Sequence, residues 1–168
     1  MKSRITTTVG NIVKQDDCDA IVNSANGNLR TGSGVCGAIY SASGPLLEPC
    51  SIKLAPLELG DAVITPGFNL VNSWIIHVRG PKYHFDPDPP FYLTKAMKSV
   101  LVIAESHGIK KIAVPAISMG IYAYPPEEAV PILIDTITSL IPSLNSIQEI
   151  RFVVLQRKLA DLFSACIA

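Results

Sequence analysis

Short runs rich in β-branched residues alternate along this chain with longer segments of helical period, and that alternation restricts the possible folds more than any other feature. The candidate strands are Ile5 to Val9, Asp19 to Asn23, Ala62 to Thr65, Trp74 to Val78, Lys111 to Pro115 and Ile150 to Leu155. Most are continuously apolar rather than alternating, as in strands buried on both faces, so helices are expected on both sides of the sheet. The candidate helices are Val35 to Ala42, Tyr92 to His107, Pro126 to Leu140 and Arg157 to Cys166. In the second, Ala96, Val100, Ile103 and Ala104 fall at helical spacing, and Gly108 stands where a left-handed cap belongs. Pro125, Pro126, Glu127 and Glu128 suit the first turn of the third, whereas Pro131 moves its expected start toward Ala129. Proline density marks Pro45 to Gly60 and Pro81 to Pro90 as surface loops, the second a crossover loop or a lid over a cleft.

The 168 residues fit one domain spanning 1–168, and a composition 48% hydrophobic and 17% charged supplies enough apolar material for a core. No apolar run approaches the roughly 20 residues of a spanning helix, so no membrane partner is expected. The segment MKSRITTTVGN lacks the apolar stretch of a signal peptide, which points to the cytoplasm. Fourteen basic residues balance fourteen acidic ones without a basic block, so long nucleic acid is not an expected partner. An anionic ligand would have to be small and held by backbone donors. Cys18, Cys36, Cys50 and Cys166 are scattered and read as reduced, and His77, His84 and His107 have no metal-ligand spacing. Neither a metal nor a cofactor is predicted, and a monomer is expected.

Two loops carry the chemistry. From Asp19 to Tyr40 the order is strand, loop, glycines, helix. Asn23 and Asn26 project from the carboxyl edge, where open α/β sheets bind ligands. Gly32, Ser33 and Gly34 let the backbone approach a phosphate, and the amides that follow open a helix. Gly32 to Gly37 also matches G-x-G-x-x-G, but eight residues separate Asn23 from Gly32, and no acid ends a second strand at the required distance. That context rules against a dinucleotide oxidoreductase. The second loop follows the strand at Lys111: Ser118, Met119 and Gly120 again offer amides, and Ile121 and Tyr122 can wall a cleft. Two such loops facing each other could hold a pyrophosphate.

With both loops in place, the sequence resembles the macro domain family over nearly its whole length. D-A-I-V-N-S-A-N from Asp19, G-S-G-V-C-G-A-I-Y from Gly32, W-I-I-H-V-R-G-P from Trp74 and A-V-P-A-I-S-M-G-I-Y from Ala113 match its motifs in order. The resemblance implies a three-layer α/β/α sandwich on a mixed sheet, with ADP-ribose or an ADP-ribosylated protein as partner. It further implies that Asn23 supports the loop and Asn26 contacts the distal ribose. Gly32, Ser33, Gly34 and Val35 would line one side of the diphosphate. Ser118, Met119, Gly120, Ile121 and Tyr122 would line the other, with Tyr122 near the distal sugar. Asn26, Gly34 and Cys36 are the candidate catalytic positions.

Three departures from the family pattern bear on function. Asn11, before Ile12, stands where the family has an acid that accepts from adenine, and its carbonyl accepts without a carboxylate's strength. Leu155 stands where an aromatic packs on adenine, losing stacking worth roughly 1 kcal/mol. Cys36 replaces the aspartate of the de-mono-ADP-ribosylating branch; the G-V-C form is similar to alphavirus macro domains, where water positioned by the diphosphate is the usual proposal. The readings open at this point are hydrolysis of protein-linked ADP-ribose or of ADP-ribose 1''-phosphate, a non-catalytic ADP-ribose reader, and a binder of another nucleotide diphosphate.

Overall fold

Six strands form one sheet: β1 (Arg4–Val9), β2 (Ala20–Ser24), β3 (Ala62–Pro66), β4 (Trp74–Val78), β5 (Lys111–Val114) and β6 (Glu149–Val154). The computed structural model describes residues 3–168. The strand order is β1-β6-β5-β2-β4-β3, with every neighbouring pair parallel except β3 and β4. The sheet is therefore mixed. Five helices cover it: α1 (Gly34–Ser43), α2 (Leu47–Ser51), α3 (Pro89–Ser106), α4 (Pro126–Leu140) and α5 (Arg157–Ile167).

Side-chain parity divides the molecule into three layers. Ala20, Val22, Ile76, Val78, Ile112, Val114, Ile150 and Phe152 pack toward α3, α4 and α5 in the larger core. Ile21, Ile75, Ala113 and Val153 point to the opposite face and pack with Ile39, Tyr40 and Leu47 of α1 and α2. Successive strand residues thus serve different layers, and each fully buried Ile or Phe contributes about 2 kcal/mol of apolar burial. This two-sided burial is the α/β/α sandwich that the continuous apolar runs imply.

The elements match the expected ones with shifts of at most three residues at their ends. Gly108 adopts φ +65, and Ile109 N donates to Ala104 O across it, closing α3 with the expected left-handed cap. Three proline readings are corrected. Within Pro45 to Gly60 the chain forms α2 and then a 3-10 turn at Ile52–Leu54, because Pro49 sits in a first turn, where no amide is missed, while Leu47 and Ser51 are buried. α4 begins at Pro126 rather than near Ala129, and Pro131 lies inside it at the loss of one amide to the Glu127 carbonyl. The Pro81 to Pro90 stretch is loop only as far as Asp88, whose side chain caps α3 by accepting from Phe91 N at 3.4 Å. No helix among the described residues is long and apolar enough to cross a membrane.

Candidate functional site

At the carboxyl ends of β2, β5 and β6 a cleft of ≈ 1020 Å³ opens between the two loops singled out above. Gly32, Ser33, Gly34, Val35 and Cys36 form one wall, and Met119, Gly120, Ile121 and Tyr122 form another. Ser24, Pro115, Ala116 and Val154 make the floor at the strand ends.

The first wall is a helix start left open. Gly34 takes φ +59, which suits glycine, and the chain then turns into α1. The first-turn amides of a helix have no intrahelical acceptor, and Ser33 at the N-cap makes no side-chain capping bond. Those donors and the positive end of the helix dipole suit an anion. On the second wall Tyr124 N donates to Ser118 O at 2.9 Å and Ala123 N to Gly120 O at 2.9 Å. Among the described residues the amides of Gly120, Ile121 and Tyr122 meet no protein acceptor. Ser118 holds a left-handed φ of +65 with its side chain tucked against Gly80. A Cβ on Gly80 would lie 2.3 Å from Ser118 Oγ, so the R-G-P corner after β4 needs glycine to let the second loop pass.

Behind the first wall runs a buried polar chain. Asn23 and His77 are register partners on β2 and β4, on the face that packs against α1. Asn23 Nδ2 lies 3.0 Å from His77 Nδ1 and 3.7 Å from Cys36 Sγ, and His77 Nε2 lies 2.9 Å from Thr65 Oγ1. Thr65 in turn donates to Pro66 O. These bonds are all satisfied at once when His77 is neutral with its proton on Nε2. Burial lowers the His77 pKa from 6.5 to about 4, in agreement. The Cys36 thiol donates to Arg30 O at 3.6 Å, and burial pushes its pKa up against the smaller lowering by the Asn23 bond. A protonated thiol with both roles taken is a poor nucleophile.

Asn26 caps its own loop: Nδ2 donates to Arg30 O at 2.8 Å and Oδ1 accepts from Arg30 N at 3.2 Å. Its amide nitrogen and Cys36 Sγ meet beside Gly32, where a Cβ would lie 3.5 Å from each. Asn26 lines the cleft, and so does Leu155, which is 79% exposed on the far lip. Four of the expected contact residues do not line it. Asn23 and Ser118 are buried behind the walls; Ile12 packs in the smaller core; Asn11 caps a 3-10 turn through Oδ1, accepting from Val13 N at 3.1 Å. Lys158, Leu159, Asp161 and Leu162 of α5 complete the cleft beyond Leu155. The i, i+3 pair Leu159 and Leu162 looks like ordinary core spacing, so sequence reasoning stops at Leu155. Among the described residues no cluster of three His, Cys, Asp or Glu side chains could hold a metal ion.

Known proteins resemble this chain in sequence and fold. The Macro domain family profile matches residues 22–133. The O-acetyl-ADP-ribose deacetylase 1 of Pantoea vagans is 36% identical over 165 residues, 95% of this chain and 96% of its own. The O-acetyl-ADP-ribose deacetylase of Salmonella typhimurium is 35% identical over 169 residues, 98% of this chain and 94% of its own. Among solved structures, the Oceanobacillus iheyensis macrodomain with ADP superposes with TM-score 0.90 at 30% identity, over 99% of this chain and 93% of that one. The Trypanosoma brucei macrodomain in complex with ADP-ribose does so with TM-score 0.90 at 28% identity, over 98% and 69%. Two glycine loops closing on one cleft at the strand ends, a family profile across the residues that build them, and matched folds over almost the full length place this chain in the macro domain family.

Proposed function

We propose that this chain binds ADP-ribose with the diphosphate between the Gly32–Cys36 and Gly120–Tyr122 amides, and hydrolyses an ester bond at the distal ribose. The observation that carries the reading is two runs of amides without a protein acceptor, one in the first turn of α1 and one at Gly120 to Tyr122, bordering one cleft. The deacetylase names of relatives aligned over nearly the whole chain support the hydrolytic half. Asn26 and Tyr122 are the distal-ribose contacts, and Leu155 lies on the adenine side. With Cys36 protonated and His77 neutral and buried, neither serves as nucleophile or base at neutral pH. A water positioned by the diphosphate attacks the acyl carbon and the ester C–O bond breaks; one water proton ends on the freed ribose hydroxyl, the other passes to solvent, and a carboxylate leaves.

A second reading, a module that binds ADP-ribose without cleaving it, is favoured by that same lack of a charged group at Cys36. Calorimetric titration with ADP-ribose, paired with chromatography of reactions containing O-acetyl-ADP-ribose, ADP-ribose 1''-phosphate or an auto-modified ADP-ribosyltransferase, tests both. Loss of the acetyl ester supports the hydrolase, binding with none of the three substrates consumed selects the reader, and no binding removes both.

A further inference from the structure

Between Asn26 and the glycines, Leu29 carries an unusual backbone. Leu29 is buried with φ +52, a left-handed conformation that a leucine holds only when its surroundings over-determine it. The surroundings are side chains from α1 and α2. Leu29 O accepts from Tyr40 Oη at 3.1 Å and from Ser51 Oγ at 2.7 Å, and the two hydroxyl oxygens lie 2.8 Å apart. Thr31 N donates to Glu48 Oε2 at 2.7 Å. The α2 helix itself contributes nothing to the cleft wall.

Glu48 is the informative member. A carboxylate beside an anion-binding loop opposes the ligand's charge, and its field reaches far enough to help raise the Cys36 pKa. A residue in that place is explained by what it accepts, not by its charge. We infer that Glu48, with Tyr40 and Ser51, is a positioning residue that sets the glycine loop in its phosphate-ready shape before the ligand arrives, its acceptor oxygen aiding binding and its charge opposing it. The affinity half of this inference rests on the proposed ADP-ribose function.

The test compares Glu48→Gln, which keeps an acceptor and removes the charge, with Glu48→Ala, which removes both. In hydrogen–deuterium exchange of the ligand-free protein, the Thr31 amide, which donates to Glu48, exchanges about tenfold faster in Glu48→Ala and near the wild-type rate in Glu48→Gln. Unchanged exchange in Glu48→Ala overturns the brace. In calorimetric titration with ADP-ribose, Glu48→Ala binds about fivefold more weakly, whereas Glu48→Gln matches or exceeds wild type. Equal affinity of all three, or an equal loss in both variants, overturns the division between acceptor and charge. If wild type itself does not bind ADP-ribose, the functional reading fails, and the exchange experiment still decides the brace.

Discussion

Asn23 Nδ2 lies 3.0 Å from His77 Nδ1, and this bond joins β2 to β4 behind the first wall of the cleft. Both side chains are fully buried, and both point toward the helix that opens the glycine loop. Through Cys36 the same amide reaches Arg30 O, the carbonyl that Asn26 also grips. The first loop is therefore held from beneath by strand residues that never meet the cleft.

Stability should fall as pH drops from 7 to 5. His77 is neutral in the fold with a pKa of about 4, against 6.5 unfolded, so the unfolded chain takes up the proton first. A depressed histidine leaves the fold at full strength above 6.5, and protonation of the unfolded state erodes it down to about pH 4. The loss between pH 7 and 5 is about 2 kcal/mol. Urea midpoints across that range should show it, and His77→Gln should flatten the slope.

Replacing Cys36 with alanine should leave turnover within about threefold of wild type, because a raised thiol pKa and two hydrogen bonds keep it from acting as a nucleophile. Removing the buried sulfur costs about 1 kcal/mol of stability. A hundredfold fall in turnover of O-acetyl-ADP-ribose, with the fold intact by circular dichroism, would count against this account.

Gly80→Ala places a Cβ 2.7 Å from Ile117 Cγ2 as well as against Ser118 Oγ. The second loop must shift, at a cost of about 1–3 kcal/mol. Thermal unfolding should register the loss, and ADP-ribose affinity should fall with it, although Gly80 does not line the cleft.

Leu155→Phe should tighten ADP-ribose binding about fivefold by adding roughly 1 kcal/mol of aromatic packing on adenine. The gain should be absent for ribose 5-phosphate, which has no base. Equal gains for both ligands in calorimetry would place the base elsewhere.

Much of this was legible in the residues. Continuous β-branched runs and the 3.6 period locate all six strands and four helices, and the two glycine loops mark the cleft walls, because backbone approach to an anion leaves a compositional trace. The fifth helix hides behind Pro49, a residue that reads as a breaker unless its place in a first turn is known. Asn11 illustrates a different limit: an Asn before a turn can cap it or face a ligand, and only the bond to Val13 N decides. The α5 wall and the Glu48 bond to Thr31 depend on contacts across the fold that no local pattern encodes.

If both loops grip one diphosphate, phosphorus NMR during titration with ADP-ribose reports it at the bound atoms themselves. Both diphosphate resonances should move and saturate at one equivalent. Resonances that stay in place with the protein at about 1 mM would contradict it.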